Sequence, residues 1–548
     1  MKIMKTKTKA LEPLIASILL IVVAVILVTI ILAFGKGFTT DALDKTQGIA
    51  TLLPSDATHF IFPKAYEKGT IQFTYSPPAT LQEKTIAITS YKILELPNVE
   101  PITLTTPYPL KEGTNILSLN CLYEHALSSP DFTVQLITGD NTYITLKQKD
   151  TGMVCTSGGT GAEFDPIIIC TAEDLNKVRN NLDANYMLGK NVDLSCFLNQ
   201  DINGWVPIGN NITKFKGNFD GRNNTISNLY INRPATEYIG LFGHTDTNSI
   251  IQNLGLNSVQ IYGQRGVGGL IGYNHGVVTN CFANGEVTGY ASSGTGHANT
   301  GGLIGVNYSN LTHSSFEGNV SGYGVGSMVG GLIGQNYSNG YISNCFAKGS
   351  VYGVGQYVGG FGGANGAATA RIYYSYADSN VFGQTNNVGG FVGAGRGGQD
   401  DILYSYSKGT VIGVNNIGGF IGLNWGASVF NSYSFSSVNG DQNIGGLIGF
   451  NRDFSGGIDG NIHHSYSIGK VEGNTNVGGL IGSNEGIFSY SFWDVNLSDQ
   501  VESDGGEGKT TTEMKTQSTF TDWDFSTVWA ISSSINDGYP YLRSNPPR

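Results

Sequence analysis

One phrase is repeated nine times between Ile239 and Trp493, and it limits this chain more than any other feature. Its regular form is a Gly-Gly pair, two apolar residues, glycine, any residue, then asparagine, as in Gly268-Gly269-Leu270-Ile271-Gly272-Tyr273-Asn274. After a turn come Cys281-Phe282-Ala283 and then Glu286-Val287-Thr288-Gly289. The first glycine of the pair recurs at 268, 301, 330, 359, 389, 418, 445 and 478, and Ile239-Gly240-Leu241-Phe242-Gly243 is a weaker copy one step earlier. A period of this length marks an array whose units cannot bury their apolar faces alone and make a core by stacking.

Each unit is made of strands. Short Val/Ile/Phe/Tyr runs punctuated by Gly and Asn are β-prone segments joined by tight turns, and this glycine density excludes helices. Glycine is expected to supply positive φ at the corners and to let neighbouring coils approach closely. The pattern predicts about nine coils of a parallel β-solenoid, a rod roughly 40 Å long at about 4.8 Å per strand.

Two columns follow from the register. Asn274, Asn307, Asn336, Asn365, Asn424, Asn451 and Asn484 close the motif, with Gly395 the exception; stacked amides bond along the axis, so the column is structural. The aromatics Phe282, Phe316, Phe346, Tyr376, Tyr406, Tyr433, Tyr466 and Tyr490 form the second. Its alternatives are a stacking ladder that sets register and a platform for sugar rings.

These residues resemble the GLUG-motif repeats of bacterial and archaeal surface proteins. The likeness extends to a lead-in (residues 169–185, Trp205 to Gly209, Phe215 to Gly221, Ile226 to Leu229) and to a closing segment (Met514 to Ser518, Trp523-Asp524-Phe525, Trp529, Gly538 to Leu542). It implies secreted or adhesin-like proteins, some of which carry a protease elsewhere.

The N-terminus suggests how such a rod is held outside a cell. Met1 to Ala10 is a short basic leader, and Leu14 to Phe34 is an apolar run broken only by Ser17 and Thr29. As a helix that run would cross a bilayer. The stretch Lys9-Ala10-Leu11-Glu12-Pro13 resembles the class III leaders of archaeal type IV pilins, cut by a prepilin-peptidase-like enzyme. The resemblance implies that Lys9 and Ala10 specify the cut, that Leu11 becomes the new N-terminus, and that Glu12 and Pro13 open the helix. The partners implied are the membrane and other pilin subunits.

Composition divides the chain into a leader (1–10), an apolar helix and stalk (11–48), a head (49–157), a linker and lead-in (158–238), the repeats (239–500) and a C-terminal cap (501–548). In the head, β-prone segments alternate with turn signals, which predicts a small antiparallel β-sandwich. Cys121 could bridge to Cys155, and Cys170 to Cys196. Cys281 and Cys345 stand two coils apart, beyond disulfide reach. Thr171 and Thr510 each open a short helix in a capping-box pattern. Trp523, Phe525, Trp529 and Tyr541 are expected to fold over the end of the stack. The fold class expected is mainly β: an apolar N-terminal helix, a sandwich and a capped solenoid.

Little in the sequence indicates chemistry. A net charge of −11 with many tyrosines argues against nucleic-acid binding. No His-Glu-x-x-His, Gly-x-Ser-x-Gly, P-loop or Cys-x-x-Cys motif occurs. His463 and His464 are adjacent, which on a strand turns the rings to opposite faces. Asp453 and Asp459 share one loop, a weak calcium candidate, and Asp400-Asp401 occupies another. Seven Asn-x-Ser/Thr triplets, at 211, 223, 307, 310, 319, 336 and 496, suit a glycosylated surface protein. The expectation is an extracellular pilin-like subunit or adhesin without catalytic residue, cofactor or metal, meeting glycans or another cell's surface. The alternative is a membrane-anchored β-helix enzyme acting on polysaccharide, which needs paired carboxylates.

Overall fold

The computed structural model describes residues 48–53, 60–61, 70–75, 87–93, 101–111, 113–118, 131–139 and 143–149, and then 155–547 except 156, 199–201, 292–297, 367–368, 398–401 and 454–459. The chain forms two compact units, Met1–Val154 and Cys155–Arg548. In the first, eight strands join in one continuous antiparallel order. Tyr143–Lys149 pairs with both Gly48–Leu53 and Asp131–Thr138. The described strands form this one sheet, and the expected two-layer sandwich is not shown among the described residues. The leader, the apolar run Leu14–Phe34 and Cys121 lie outside the described residues; among the described residues no helix is long and apolar enough to cross a membrane.

The second unit is a parallel β-solenoid. One coil reads Arg265–Val267, Ile271–Asn274, Val277–Thr279 and Phe282–Tyr290. Each strand pairs in parallel with its counterpart in the next coil, Asn299–Gly301, Ile304–Asn307, Asn310–Thr312 and Ser315–Tyr323. The result is four sheets of twelve, sixteen, nine and nine strands. The nine-stranded pair counts the nine repeats, and the longer sheets include the lead-in and the closing strand.

The core comprises about five inward positions per coil. In one coil these are Val329, Leu332, Ile333, Ile342 and Val351, all 0 or 1% exposed. Each such side chain contributes about 1.5–3 kcal/mol of apolar burial, so a coil is held chiefly by its neighbours' inward faces. Where the third motif residue becomes Phe361, Phe391 and Phe420, the rings stack 4.6 and 4.7 Å apart.

Of the two roles expected of glycine, the motif glycines serve close approach between coils. A Cβ on Gly331 would meet the Gly360 carbonyl oxygen of the next coil at 2.1 Å, so the motif glycines are required by close approach. Asparagine supplies many of the left-handed corners: Asn253, Asn280, Asn344 and Asn431 share one column with His313, Tyr374, Tyr404, His464 and Tyr490, and Asn387, Asn416, Asn443 and Asn476 stand in another. Asparagine tolerates this region because its short amide bonds locally. In the second column the amides bond along the axis, Asn416 to Asn387, Asn443 to Asn416 and Asn476 to Asn443, each at 2.8 Å.

Both ends are closed. At the front, Ile167–Ile169 adds the last strand beside Tyr186–Leu188, and the helix Ala172–Lys177, capped by the Thr171 hydroxyl, buries Ala172 and Leu175. At the back, Gly479 and Leu480 donate to the Glu502 carbonyl and the Ser503 hydroxyl, and Glu507–Lys509 pairs with Phe492–Asp494. Closed ends keep strand edges from templating aggregation.

Candidate functional site

The asparagines that close the motif form two hydrogen-bonded runs. Asn274 donates to Asn307 at 2.8 Å, Asn307 to Asn336 at 3.0 Å and Asn336 to Asn365 at 2.9 Å. Asn424 donates to Asn451 at 2.8 Å and Asn451 to Asn484 at 2.7 Å. Each amide also donates to a backbone carbonyl of its own turn, Asn336 to Gly340 at 2.9 Å for example. Gly395 separates the runs, and the buried Asn424 Oδ1 next to it has no partner among the described residues. Asn307 and Asn336 are fully buried, which removes them as glycan acceptors. Asn211, Asn223, Asn310, Asn319 and Asn496 are exposed.

A second spine runs through the column in which Cys281 and Cys345 stand where other coils carry serine. Cys281 N donates to Ser314 Oγ at 3.1 Å, Cys345 N to Ser375 Oγ at 3.2 Å and Ser375 N to Ser405 Oγ at 3.2 Å. The column continues through Ser432, Ser465 and Ser491. Cys281 and Cys345 are free and buried, and burial pushes both thiols up to about 12. The disulfide that forms is Cys155–Cys170, with Cα atoms 5.7 Å apart. This corrects the pairings Cys121–Cys155 and Cys170–Cys196: Gly189 lies against both Cys155 and Cys170 Sγ, so the bond fastens the chain before the cap helix to the front of the stack.

The aromatic column is also corrected. Strand register places Phe316 opposite Ala283, facing inward and fully buried, and puts Ser315 opposite Phe282 and Phe346. At the far end Tyr466 pairs with Phe492, and Tyr490 belongs to the neighbouring corner column. The outward ladder is therefore Phe346, Tyr376, Tyr406, Tyr433, Tyr466 and Phe492. From Phe346 to Tyr466 the ring centroids are 4.9–5.1 Å apart and within 12° of parallel.

The C-terminal segment lies along this ladder, on the flank and not over the end of the stack. Trp529, Trp523, Phe520, Tyr539, Met514 and Leu542 bury the rings from Tyr376 to Phe492. Polar anchors fasten it. Tyr539 OH donates to Asp494 Oδ2 at 2.7 Å, Trp523 Nε1 to the Tyr490 carbonyl at 2.8 Å, and Asn545 Nδ2 to the carbonyls of Ser375 and Tyr404 at 3.2 and 3.0 Å. The Thr510 capping box starts this strap. Burial raises the phenols of Tyr433 and Tyr466 well above the ordinary tyrosine range.

Three other clusters stand outside the columns. His463 ends a strand and stacks on Phe430 at 4.7 Å, while His464 occupies a left-handed corner and stacks on Tyr490 at 5.3 Å. The pair is thus not split across a strand, and its ring centroids are 6.4 Å apart. His244 is almost fully buried with neither ring nitrogen partnered, and burial, Lys214 and His275 lower it to about 4. Trp425 lies between the guanidiniums of Arg396 and Arg452, at 4.9 and 5.4 Å. Most of the loop holding Asp459, and Asp400-Asp401, lie outside the described residues.

Within this architecture a family profile described as the GLUG motif matches residues 263–288 and 325–352. The repeats are thus similar to those of surface proteins. A protein of Evansella cellulosilytica named as a Gly-rich membrane protein is 38% identical over 129 residues, 23% of this chain and 15% of its own length. Halomucin of Haloquadratum walsbyi is 30% identical over 149 residues, 26% of this chain and 2% of its own length. The chain therefore spans only a small part of the curated relatives it matches. Their names suggest a cell-surface or membrane-associated protein.

Among solved structures, one from Bacteroides ovatus named as an immunoglobulin A1 protease covers 70% of this chain and 94% of its own, at 17% identity and a TM-score of 0.34. A second, an IgA1 protease, covers 72% of this chain and 27% of its own, at 13% identity and a TM-score of 0.33. The expectation that the chain is not an enzyme is corrected here, because both neighbours are named for enzymes, and it is withdrawn. Likeness at these TM-scores assigns no activity to this chain.

Proposed function

We propose that the chain is an extracellular surface protein, a pilin-like subunit or adhesin, whose solenoid presents a binding face in cell attachment. The observation that carries this reading is the flank of the sixteen-stranded sheet. Its rear half is filled by the strap, while its front half, around Phe282, Ser315 and Phe346, carries ring surface and polar side chains with no strap over them. The rod is stiffened by amide, hydroxyl and aromatic columns running along its axis, so sites on successive coils keep fixed spacing. A stiff carrier with several weak contacts gains attachment strength by avidity.

On this reading residues 1–10 form a leader removed after Ala10. The helix from Leu11, opened by Glu12 and Pro13, anchors the chain in the membrane or packs with other pilin subunits. Residues 49–157 form the sandwich head that follows this helix in the chain. Glycans or another cell's surface are the partners facing it. Mass spectrometry of the N-terminus of protein purified from cells tests the proposal: a chain beginning at Leu11 supports it. Intact Met1 on protein confined to the membrane fraction removes the pilin part, and protein found only in the cytoplasm overturns the whole.

A further inference from the structure

The flank ladder lacks one rung. Phe346 stacks on Tyr376 at 5.1 Å and 7° from parallel, so its opposite face turns to the preceding coil, where the register places Ser315. One coil further forward Phe282 leans away from Ser315, over Gly255, where a Cβ would meet its ring at 2.4 Å. Ladder rings stand 4.9–5.1 Å apart, so removing one ring and tilting the next opens a slot about one ring thick. A pocket of about 350 Å³ lies at the Phe282 and Ser315 end of that slot, lined by Asn280, Phe282, Asn284, His313, Ser315 and Glu317 and not by Phe346. That volume falls in the range of small-ligand sites.

The rim defines the chemistry of the occupant. Asn280 directs its amide N–H groups to Asn253 and Asn223 at 2.8 and 3.3 Å, leaving its carbonyl oxygen as an acceptor. The Glu317 carboxylate and the His313 ring are exposed and have no partner among the described residues. Acceptors therefore outnumber donors around one exposed aromatic face, Phe282 at 41%. Glu317 is the one charged lining residue, which disfavours phosphates and uronates. A ring with an apolar C–H face and several hydroxyl donors satisfies both the stack and the acceptors.

We propose that this slot binds one neutral pyranose unit of a glycan, its C–H face on Phe282 and its hydroxyls on Asn280, His313 and Glu317. The proposal rests on the surface-binding reading above and locates its contact. The strap offers a precedent for the corner asparagine as anchor. Asn431 stands in the same column as Asn280 and accepts the Trp529 indole N–H at 3.1 Å.

The test uses the full-length protein on an array of neutral oligosaccharides built from glucose, galactose, mannose and N-acetylglucosamine. Oligogalacturonate and a synthetic peptide of residues 520–545 serve as counter-probes, and calorimetric titration follows on the best neutral hit. Ser315→Tyr restores the missing rung with a residue the ladder uses on other coils, so it is expected to lower neutral-glycan association at least about tenfold while the melting temperature holds or rises. Phe282→Ala is expected to lower it by a similar factor. Unchanged binding in Ser315→Tyr moves the contact off this slot and overturns the proposal, while leaving the surface reading intact. Binding confined to oligogalacturonate or the peptide, or absent throughout the array, also overturns it. The N-terminal and labelling experiments decide the surface reading separately.

Discussion

Trp529 Nε1 donates to Asn431 Oδ1 at 3.1 Å across 98 residues of sequence. The indole is fully buried and lies 6.1 and 6.0 Å from the Tyr433 and Tyr466 rings. This one contact shows the strap to be a flank element, bound to the ladder it covers.

Trp529→Ala is expected to destabilise the rear coils by about 3–5 kcal/mol, the usual cost of truncating a large buried aromatic. Guanidinium unfolding followed by tyrosine and tryptophan fluorescence measures it. A strap packed elsewhere would leave tyrosine exposure unchanged in the variant.

Alkaline stability follows from the same packing. Burial holds Tyr433 and Tyr466 neutral well above the ordinary tyrosine value of 10.0, so the folded state retains protons that the unfolded state loses. Stability is therefore complete below pH about 10 and falls as pH rises beyond it. Spectrophotometric titration should show these two phenols ionising only together with unfolding. Their titration with the exposed tyrosines, in folded protein, would contradict the burial.

At the acid side His244 has the opposite sign. Its folded value is lowered from 6.5 to about 4 by burial, with Lys214 and His275 adding to the effect. The unfolded state thus takes up a proton first, and stability is lost as pH falls from about 6.5 toward 4. His244→Phe should flatten that part of the stability profile, measured as the denaturant midpoint against pH. An unchanged slope would place the acid sensitivity elsewhere.

The amide ladder gives a paired prediction. Asn336→Ala leaves the Asn307 amide and Asn365 Oδ1 short of a partner inside the stack, at a cost of about 1–3 kcal/mol. Gly395→Asn should raise the melting temperature by giving Asn424 Oδ1 its missing donor. Its Cβ would stand 3.0 Å from the Ala427 Cβ, so the gain should grow when Ala427→Gly is added. Calorimetry reads both, and no gain in either form would count against the axial bonds.

Reduction should loosen the front of the rod. The Cys155–Cys170 bond closes a 15-residue separation, worth about 3 kcal/mol by loop-closure entropy. Non-reducing peptide mapping should recover the 155–170 link, and hydrogen exchange after reduction should rise first at Ile167–Ile169. A 121–155 or 170–196 link would contradict the assignment.

Much of this was legible from the repeat. The glycine spacing alone gives the coil and its register, because the next coil's backbone leaves no room for a Cβ. The motif asparagines carried their own explanation, since a buried amide repeated once per coil has its neighbours as partners. The aromatic column was misaligned by one residue at Phe316, and in a strand a one-residue slip reverses the face. Aligning Gly318 with Gly285 and Val320 with Val287 would have shown it. The strap's place was not legible, because Trp523 and Trp529 would bury equally well over an end or a flank. That choice is made by long-range bonds such as Asn545 to Ser375, which carry no local pattern.

The central claim, that this rod is displayed outside the cell, is tested most directly by gold labelling of intact cells with an antibody to the solenoid. The account predicts label on the exterior of unpermeabilised cells, at the envelope or along filaments. Label that appears only after permeabilisation would contradict it.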